Sequence, residues 1–255
     1  MDSAGNTTSQ TMATGDYAYA MGMGSIANGK GAFSLGTKNI ADGYYSLAMG
    51  YNSTTLANYS TAMGYRSKAS GLISTATGAY TNASGGYSTS MGFNTLASGE
   101  FSTVFGYNAI ASGYASMAVG RSSEAKGVGS MALGYFAKAM GDYAFAAGRF
   151  TYAKAGENVF GAYNDTTVSN ALFIVGMGSL TGRKNAMVID NNGYVKFPNT
   201  PSLSIGVYPV VSELGQGSLF LKSDNPSLSM EENDASNKRW SFNVKNGNLN
   251  IREMV

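Results

Sequence analysis

The chain of 255 residues has no cysteine and no histidine, and only 13% of it is charged. Without cysteine there are no disulfides, thiolate metal sites or cysteine nucleophiles. Without histidine the commonest general base, the Ser-His-Asp triad and most zinc sites are excluded. No stretch approaches the ~18 apolar residues of a membrane-spanning helix, so no membrane insertion is expected. Residues 1–14 are polar and carry no basic-then-apolar leader. Lys and Arg number 17 against 15 Asp and Glu, a net charge of +2. That balance does not suit a protein whose work is to grip nucleic acid. No cofactor, metal or catalytic group is expected.

What the chain does have is glycine, 34 residues of it, and the glycines are periodic. In steps of seven from Gly15 to Gly148, 19 of 20 positions are glycine, and Ala57 is the exception. A fixed period marks a repeat architecture. The seven-residue units alternate, so the repeat is fourteen residues long. The first half reads like Gly43-Tyr-Tyr-Ser-Leu-Ala-Met-Gly50 and the second like Gly64-Tyr-Arg-Ser-Lys-Ala-Ser-Gly71.

Within each half the pattern has period two, a strand signal. Counting from the opening glycine, positions three and five of the first half are Ala or Ser in 19 of 20 cases (Ala18/Ala20, Ser46/Ala48, Ser130/Ala132), with Val104 the exception. Position five of the second half is Ala in nine of ten copies, Thr55 being the tenth. Both halves therefore aim small side chains at one narrow interior. The pattern predicts an all-β, flattened coil of two short strands. The glycines that close each first half, Gly22, Gly36, Gly50, Gly64, Gly78, Gly92, Gly106, Gly120, Gly134 and Gly148, are expected at its turns, where positive φ or close approach is needed.

The outer side of the first half is also apolar. Position six carries Met21, Leu35, Met49, Met63, Met91, Phe105, Val119 and Leu133, with Thr77 and Ala147 between. Position two is often aromatic, as in Tyr17, Tyr45, Tyr59, Tyr87, Phe101 and Tyr143. The same side of the second half is polar, with Lys38, Arg66, Lys68, Glu124 and Lys138. A stacked apolar column of ten coils exceeds the few hundred Å² that a soluble monomer exposes, and its burial at ~25 cal/mol per Å² is a large driving force. An obligate oligomer of cyclic symmetry is expected. The pattern itself leaves dimer and trimer open.

Units such as Ser46-Leu-Ala-Met-Gly-Tyr-Asn-Ser and Ser130-Met-Ala-Leu-Gly-Tyr-Phe-Ala resemble the head repeats of trimeric autotransporter adhesins. The resemblance covers about residues 15–155 and implies a left-handed parallel β-roll, a solenoid assembled as a homotrimer. Similar repeats occur in phage tail fibres and related virion fibres. Gly156-Glu-Asn-Val-Phe-Gly-Ala-Tyr-Asn164, Asn170-Ala-Leu-Phe-Ile-Val-Gly176 and Asn185-Ala-Met-Val-Ile-Asp-Asn-Asn-Gly-Tyr-Val-Lys-Phe197 resemble the stretch that follows the repeats in those fibres.

Four regions are expected: a polar segment 1–14, the β-roll 15–155, a β-rich neck 156–200 and a small antiparallel or irregular β region 201–255. Strands are expected at 171–175, 186–190 and 194–197, with Asp190-Asn-Asn-Gly193 as a hairpin turn. Thr200-Pro-Ser reads as a linker, with further strands near 218–222, 227–232, 239–245 and 248–253. The last ends in mid-pattern, and the natural chain is expected to continue.

Chemical motifs are few. Gly22-Met-Gly24 and Gly176-Met-Gly178 lack the rest of a dinucleotide fingerprint, and there is no P-loop. Glu231, Glu232 and Asp234 read as a polar loop. Exposed aromatics favour sugars and protein surfaces and are candidate receptor contacts; the alternative is stacking that stiffens the column or, in the nonperiodic end, core packing. Tyr51, Tyr65, Phe93, Tyr107 and Tyr135 form a ladder at multiples of fourteen, and Tyr208 and Trp240 lie in the nonperiodic end.

These features, with the resemblance, lead to a structural fibre protein of a phage or phage-like particle. It is expected to sit in the virion beside other virion or baseplate proteins and to bind a glycan or protein receptor on the bacterial host. The alternative is a head fragment of a trimeric autotransporter adhesin at the bacterial cell surface. A fibre-borne glycan depolymerase is a third reading.

Overall fold

The computed structural model describes residues 10–198 and the backbone of three later strands, Ser227–Glu231, Arg239–Lys245 and Asn248–Met254. Tyr208, the linker at 200–202 and the strand expected near 218–222 lie outside the described residues.

Each fourteen-residue coil contributes one five-residue strand and one two-residue strand. The long strands run from Tyr19–Met23 to Asn158–Ala162, and the short ones from Met12–Ala13 to Tyr152–Ala153. They stack into two sheets, one of 14 strands and one of 11. Every pair between consecutive regular coils is parallel and joins residues fourteen apart, as in Thr75↔Thr89, Met91↔Phe105 and Ala83↔Ala97. The coils form an all-β parallel solenoid.

The interior is as narrow as the small residues require. Ala48, Ala62, Ala76, Ala118 and Ala132 from the long strands are fully buried, as are Ala69, Ala83, Ala97 and Ala111 from the short ones. Position three of the second half also points inward and is often polar: Ser25, Asn39, Ser53, Ser67, Thr81 and Thr95 are buried. Several of these close onto strand-glycine carbonyls of the next coil. Ser25 Oγ donates to Gly36 O (2.9 Å), Ser53 Oγ to Gly64 O (3.0 Å) and Ser67 Oγ to Gly78 O (2.9 Å). Such pairing is what makes a hydroxyl tolerable in a core.

The chain turns differently from the sequence-based expectation. Gly22, Gly36, Gly50, Gly64, Gly78, Gly92, Gly106, Gly120, Gly134 and Gly148 lie inside the long strands, one residue before their ends, at φ between 101° and 138°. A Cβ on any of them would overlap the carbonyl oxygen of the glycine in the next coil. The turns themselves put ordinary side chains in the left-handed region, including Tyr45, Tyr59, Arg66, Tyr80 and Phe101 at φ 53–58°. The position-two aromatics are therefore corner residues and not members of the strand face. For a side-chain-bearing residue the left-handed region costs roughly 1–2 kcal/mol. Here it aligns the corner N–H with a carbonyl of the preceding coil, as in Tyr59 N to Tyr44 O (2.8 Å) and Arg66 N to Tyr51 O (2.8 Å). The inter-coil ladder thus continues through the corners.

The repeat ends before the sheet does. Residues 12–13 already pair with Ile26–Ala27, so the boundary expected at residue 14 falls inside the first coil. At the other end, Phe145 pairs with Asn158 and Asn158 with Phe173, steps of 13 and 15 residues. Gly161 and Gly176 thereby continue the column of Gly148. Ala171–Met177 then pairs antiparallel with Asn185–Asp190, which pairs with Val195–Lys196. Asp190 Oδ1 accepts from the N–H groups of Asn192 and Tyr194 (both 3.0 Å), fixing the hairpin turn.

Both sheet edges at this end are closed. The hairpin covers the long-strand edge. At the short-strand edge the Asn164 amide accepts from Tyr152 N (2.8 Å) and donates to Tyr152 O (2.9 Å), standing in for a further strand. Arg183 Nη1 donates to Phe150 O (3.0 Å) and Asn164 O (3.1 Å), tying the hairpin to the last coil.

Residues 201–255 form a separate unit. Its three strands make an antiparallel sheet, with Trp240 opposite Met230 and Glu253 in register.

Candidate functional site

In-register stacking turns two sequence positions into two continuous surface columns on the long-strand sheet. One runs through Met21, Leu35, Met49, Met63, Thr77, Met91, Phe105, Val119 and Leu133. The other runs through Tyr19, Phe33, Leu47, Thr61, Thr75, Thr89, Thr103, Met117 and Met131. Neither column contains a charge. Met21, Met63 and Phe105 are exposed, while Leu35, Met49, Met91, Val119 and Leu133 are half-buried by their neighbours along the column. The structure thus brings all eight residues expected at an assembly interface onto one face.

The short-strand sheet presents a different outer surface. Ile40, Thr54, Lys68, Asn82, Leu96, Ile110, Glu124 and Lys138 follow one another in register. Glu124 bridges two lysines, at 2.8 Å from both Lys126 Nζ and Lys138 Nζ. Burial raises the Glu124 pKa, but the hydrogen bonds and charges of these two ammonium groups outweigh it and hold the carboxyl below its ordinary range.

One edge of the solenoid carries the aromatic ladder, more complete than the fourteen-residue spacing indicates. Tyr51 stacks on Tyr65 (5.3 Å between centroids, 8°), and Phe93 on Tyr107 (5.2 Å, 8°). Between these pairs the ring position holds Ala79, and its neighbour Tyr80 fills the gap, edge-on to Tyr65 (5.3 Å) and to Phe93 (5.8 Å). Further on, the Arg121 guanidinium sits 5.5 Å from both the Tyr107 and Tyr135 rings, so a cation completes the stack. Phe136, Phe150 and Tyr163 carry it into the end coil, with Phe136–Phe150 at 4.9 Å and Phe150–Tyr163 at 4.7 Å. Tyr51, Tyr65, Tyr107 and Tyr135 therefore share one edge and are about 40% exposed. Of the other aromatics expected as receptor contacts, Tyr208 lies outside the described residues and Trp240 belongs to the separate unit. Sequence spacing missed Tyr80 and Arg121, because one is offset by a residue and the other is not aromatic.

Residues 13–39, 41–67, 97–123 and 125–151 match the YadA head domain repeat (2 copies). Those coils carry YadA head domain repeats. No curated protein matches the chain. The coils between residues 67 and 97 lie outside the matched segments, yet they keep the fourteen-residue register without a shift. The glycine column, the small interior and the uncharged long-sheet face run through the matched and unmatched coils alike.

Among the described residues no group of three or more acidic side chains is placed to hold a metal ion, and no helix is long and apolar enough to cross a membrane. What the coils offer is surface: one apolar face, one aromatic edge and one mixed polar face.

Proposed function

We propose that this chain is an adhesive head of a surface-exposed homotrimeric fibre, of the kind found in trimeric autotransporter adhesins. The match to YadA head domain repeats carries this reading. The uncharged Met/Leu/Phe face supports the oligomer, because association is the plain means of removing such a column from water. With that face turned inward, the mixed polar face and the aromatic edge remain to meet a receptor.

The phage-fibre reading rests on residues 156–197, which resemble the stretch following such repeats in virion fibres. Immunogold labelling with an antibody raised against residues 10–198 separates the two. Label on the surface of the source cells supports the adhesin. Label on released particles that carry capsid protein moves the chain to a virion. Label confined to the cell interior sinks both.

A further inference from the structure

On the outer surface of the short-strand sheet, beside the aromatic edge, four consecutive coils form a groove of about 560 Å³. Its walls include Arg66, Lys68, Tyr80, Asn82, Asn94 and Asn108. The coils between residues 67 and 97, outside the segments that match the family repeat, form its centre. Here the aromatic position holds Ala79, and the ladder steps sideways onto Tyr80.

The chemistry of the groove is specific in kind. It holds two cations, and no acidic side chain lines it. The Arg66 guanidinium is held over the Tyr65 and Tyr80 rings, 5.4 and 5.7 Å from their centroids, which limits its freedom before any ligand arrives. An oriented guanidinium presents a planar fork matched to a carboxylate or sulfate. The Asn82 side-chain oxygen is buried and has no hydrogen-bond partner. The oxygen is thus the inward end of the amide, and a ligand in the groove meets its other end, the Nδ2 donor. Asn94 Nδ2 donates to Asn108 Oδ1 (2.8 Å), which orients both amides along the groove. Tyr80 stands across the stack, at 72° to Tyr65 and 70° to Phe93, and is 42% exposed. A fixed anion fork, a row of amides and one exposed ring describe the needs of a sugar that carries an acid group. The amides suit hydroxyls, which both donate and accept, and the ring suits the apolar face of a pyranose.

We propose that this groove binds an acidic saccharide, with Arg66 and Lys68 on its carboxylate or sulfate, Asn82 and Asn94 on ring hydroxyls and Tyr80 against a sugar face. The proposal rests on the adhesive-head reading and names the class of receptor that the head meets. The groove lies on the opposite sheet from the apolar Met/Leu/Phe face, so assembly through that face leaves it open.

The test is calorimetric titration of the full chain with oligogalacturonate, its methyl ester, a sulfated dextran oligomer and single-stranded DNA. At least one of the two acidic oligosaccharides binds, and which of them does identifies carboxylate or sulfate as the anion. Loss of the acid group, or Arg66→Ala, weakens binding about tenfold or more. Arg66→Lys falls between, Tyr80→Leu also weakens binding, and the control Lys30→Ala, a lysine outside the groove lining, has no effect. Arg66 and Tyr80 are exposed, and a wild-type circular dichroism spectrum at the temperature of the titration shows that the variants are folded. Absence of binding by both acidic oligosaccharides, full binding by Arg66→Ala, or tighter binding of DNA overturns the proposal. Adhesion to host cells is measured alongside. Wild-type adhesion that Arg66→Ala leaves intact removes the groove and keeps the adhesive reading. Saccharide binding without any adhesion keeps the groove and removes that reading.

Discussion

Gly106 packs so closely under the carbonyl of Gly120 that a Cβ on Gly106 would overlap that oxygen. The two residues pair in register one coil apart, and Gly106 is at φ +138°. Two costs therefore meet in Gly106→Ala, a strained backbone and a collision that neither strand can yield to without losing its ladder. Together they amount to about 2–5 kcal/mol. Gly193 separates the two terms, since it also has positive φ (+80°) but has nothing within 4 Å of an added Cβ. Gly193→Ala is expected to cost only about 1–2 kcal/mol. Denaturant unfolding at one fixed protein concentration measures both, and equal losses would show that the inter-coil contact is not the reason for glycine.

Asn39 makes three hydrogen bonds in the interior. Its Nδ2 donates to Leu35 O and Gly50 O, and its Oδ1 accepts from Ser53 N, each at 2.8 Å. Asn39→Ala leaves the buried Ser53 N–H without its partner and takes one hydrogen bond from each of the two strand carbonyls, and is expected to cost about 1–3 kcal/mol. Asn39→Ser is milder, because Ser25, Ser53 and Ser67 reach the equivalent carbonyl from the same position. A thermal melt in which Ser is no better than Ala would show that the Gly50 bond contributes little.

These two cases mark where the sequence could and could not be read. The Ala and Ser columns were legible because a narrow interior admits only small groups, and fourteen-residue stacking copies that limit into every coil. Glycine was legible as a period but not as a place. A positive φ inside a strand leaves no alternation to detect, and the corners that seemed to need glycine are occupied by Tyr, Arg and Asn. Asn39 was hidden because a polar residue in an alternating pattern looks like a surface residue until its partners are seen. Gly161 and Gly176 escaped because the step changes to 13 and then 15 residues while the register of the sheet persists. The uncharged face of the long-strand sheet was visible as a column of types, since in-register stacking brings residues fourteen apart side by side.

Leu133 tests that face. It is half-buried in the chain and sits in register between Val119 and Ala147. In an oligomer closed on this column, Leu133→Lys places an unpaired ammonium in each apolar contact, a cost of several kcal/mol per charge. Sedimentation velocity is expected to show the wild type at three times the chain mass and the variant shifted toward the monomer, with the circular dichroism of the coils retained. A wild type that sediments as a folded monomer at micromolar concentration would remove the oligomer altogether.

Arg121 tests whether the edge ladder stiffens the solenoid. It is the only rung between Tyr107 and Tyr135, with a ring on either side at 5.5 Å. Each such contact at an exposed site contributes roughly 0.5–1 kcal/mol, so Arg121→Ala is expected to lose about 1–2 kcal/mol. Arg121→Tyr restores a ring at the same height and should recover most of it. Were the two variants to melt alike, the stack would be a consequence of the coil spacing and not a support for it.

Two glutamates predict opposite responses to acid. Glu157 is buried where the repeat ends, and burial pushes its carboxyl above the ordinary range, against the hydrogen bond from Lys154 N (2.8 Å) and the Lys154 charge. Its contribution is fully present below the unfolded value near 4.3 and is lost as pH rises through the higher folded value. Glu157→Gln keeps an acceptor for Lys154 N, so it should melt higher than the wild type near neutral pH and no higher below about pH 4. For Glu124, burial is outweighed by Lys126 and Lys138, and the folded value is lowered. Its contribution is present above the unfolded value and disappears as pH falls through the folded one. Glu124→Gln should therefore melt lower near neutral pH, with the difference closing in strong acid. Melting curves of the three proteins between about pH 3 and pH 7 read both signs at once. A Glu157→Gln variant less stable than the wild type near neutral pH would mean that the ionised carboxylate is supported by more than the Lys154 contact.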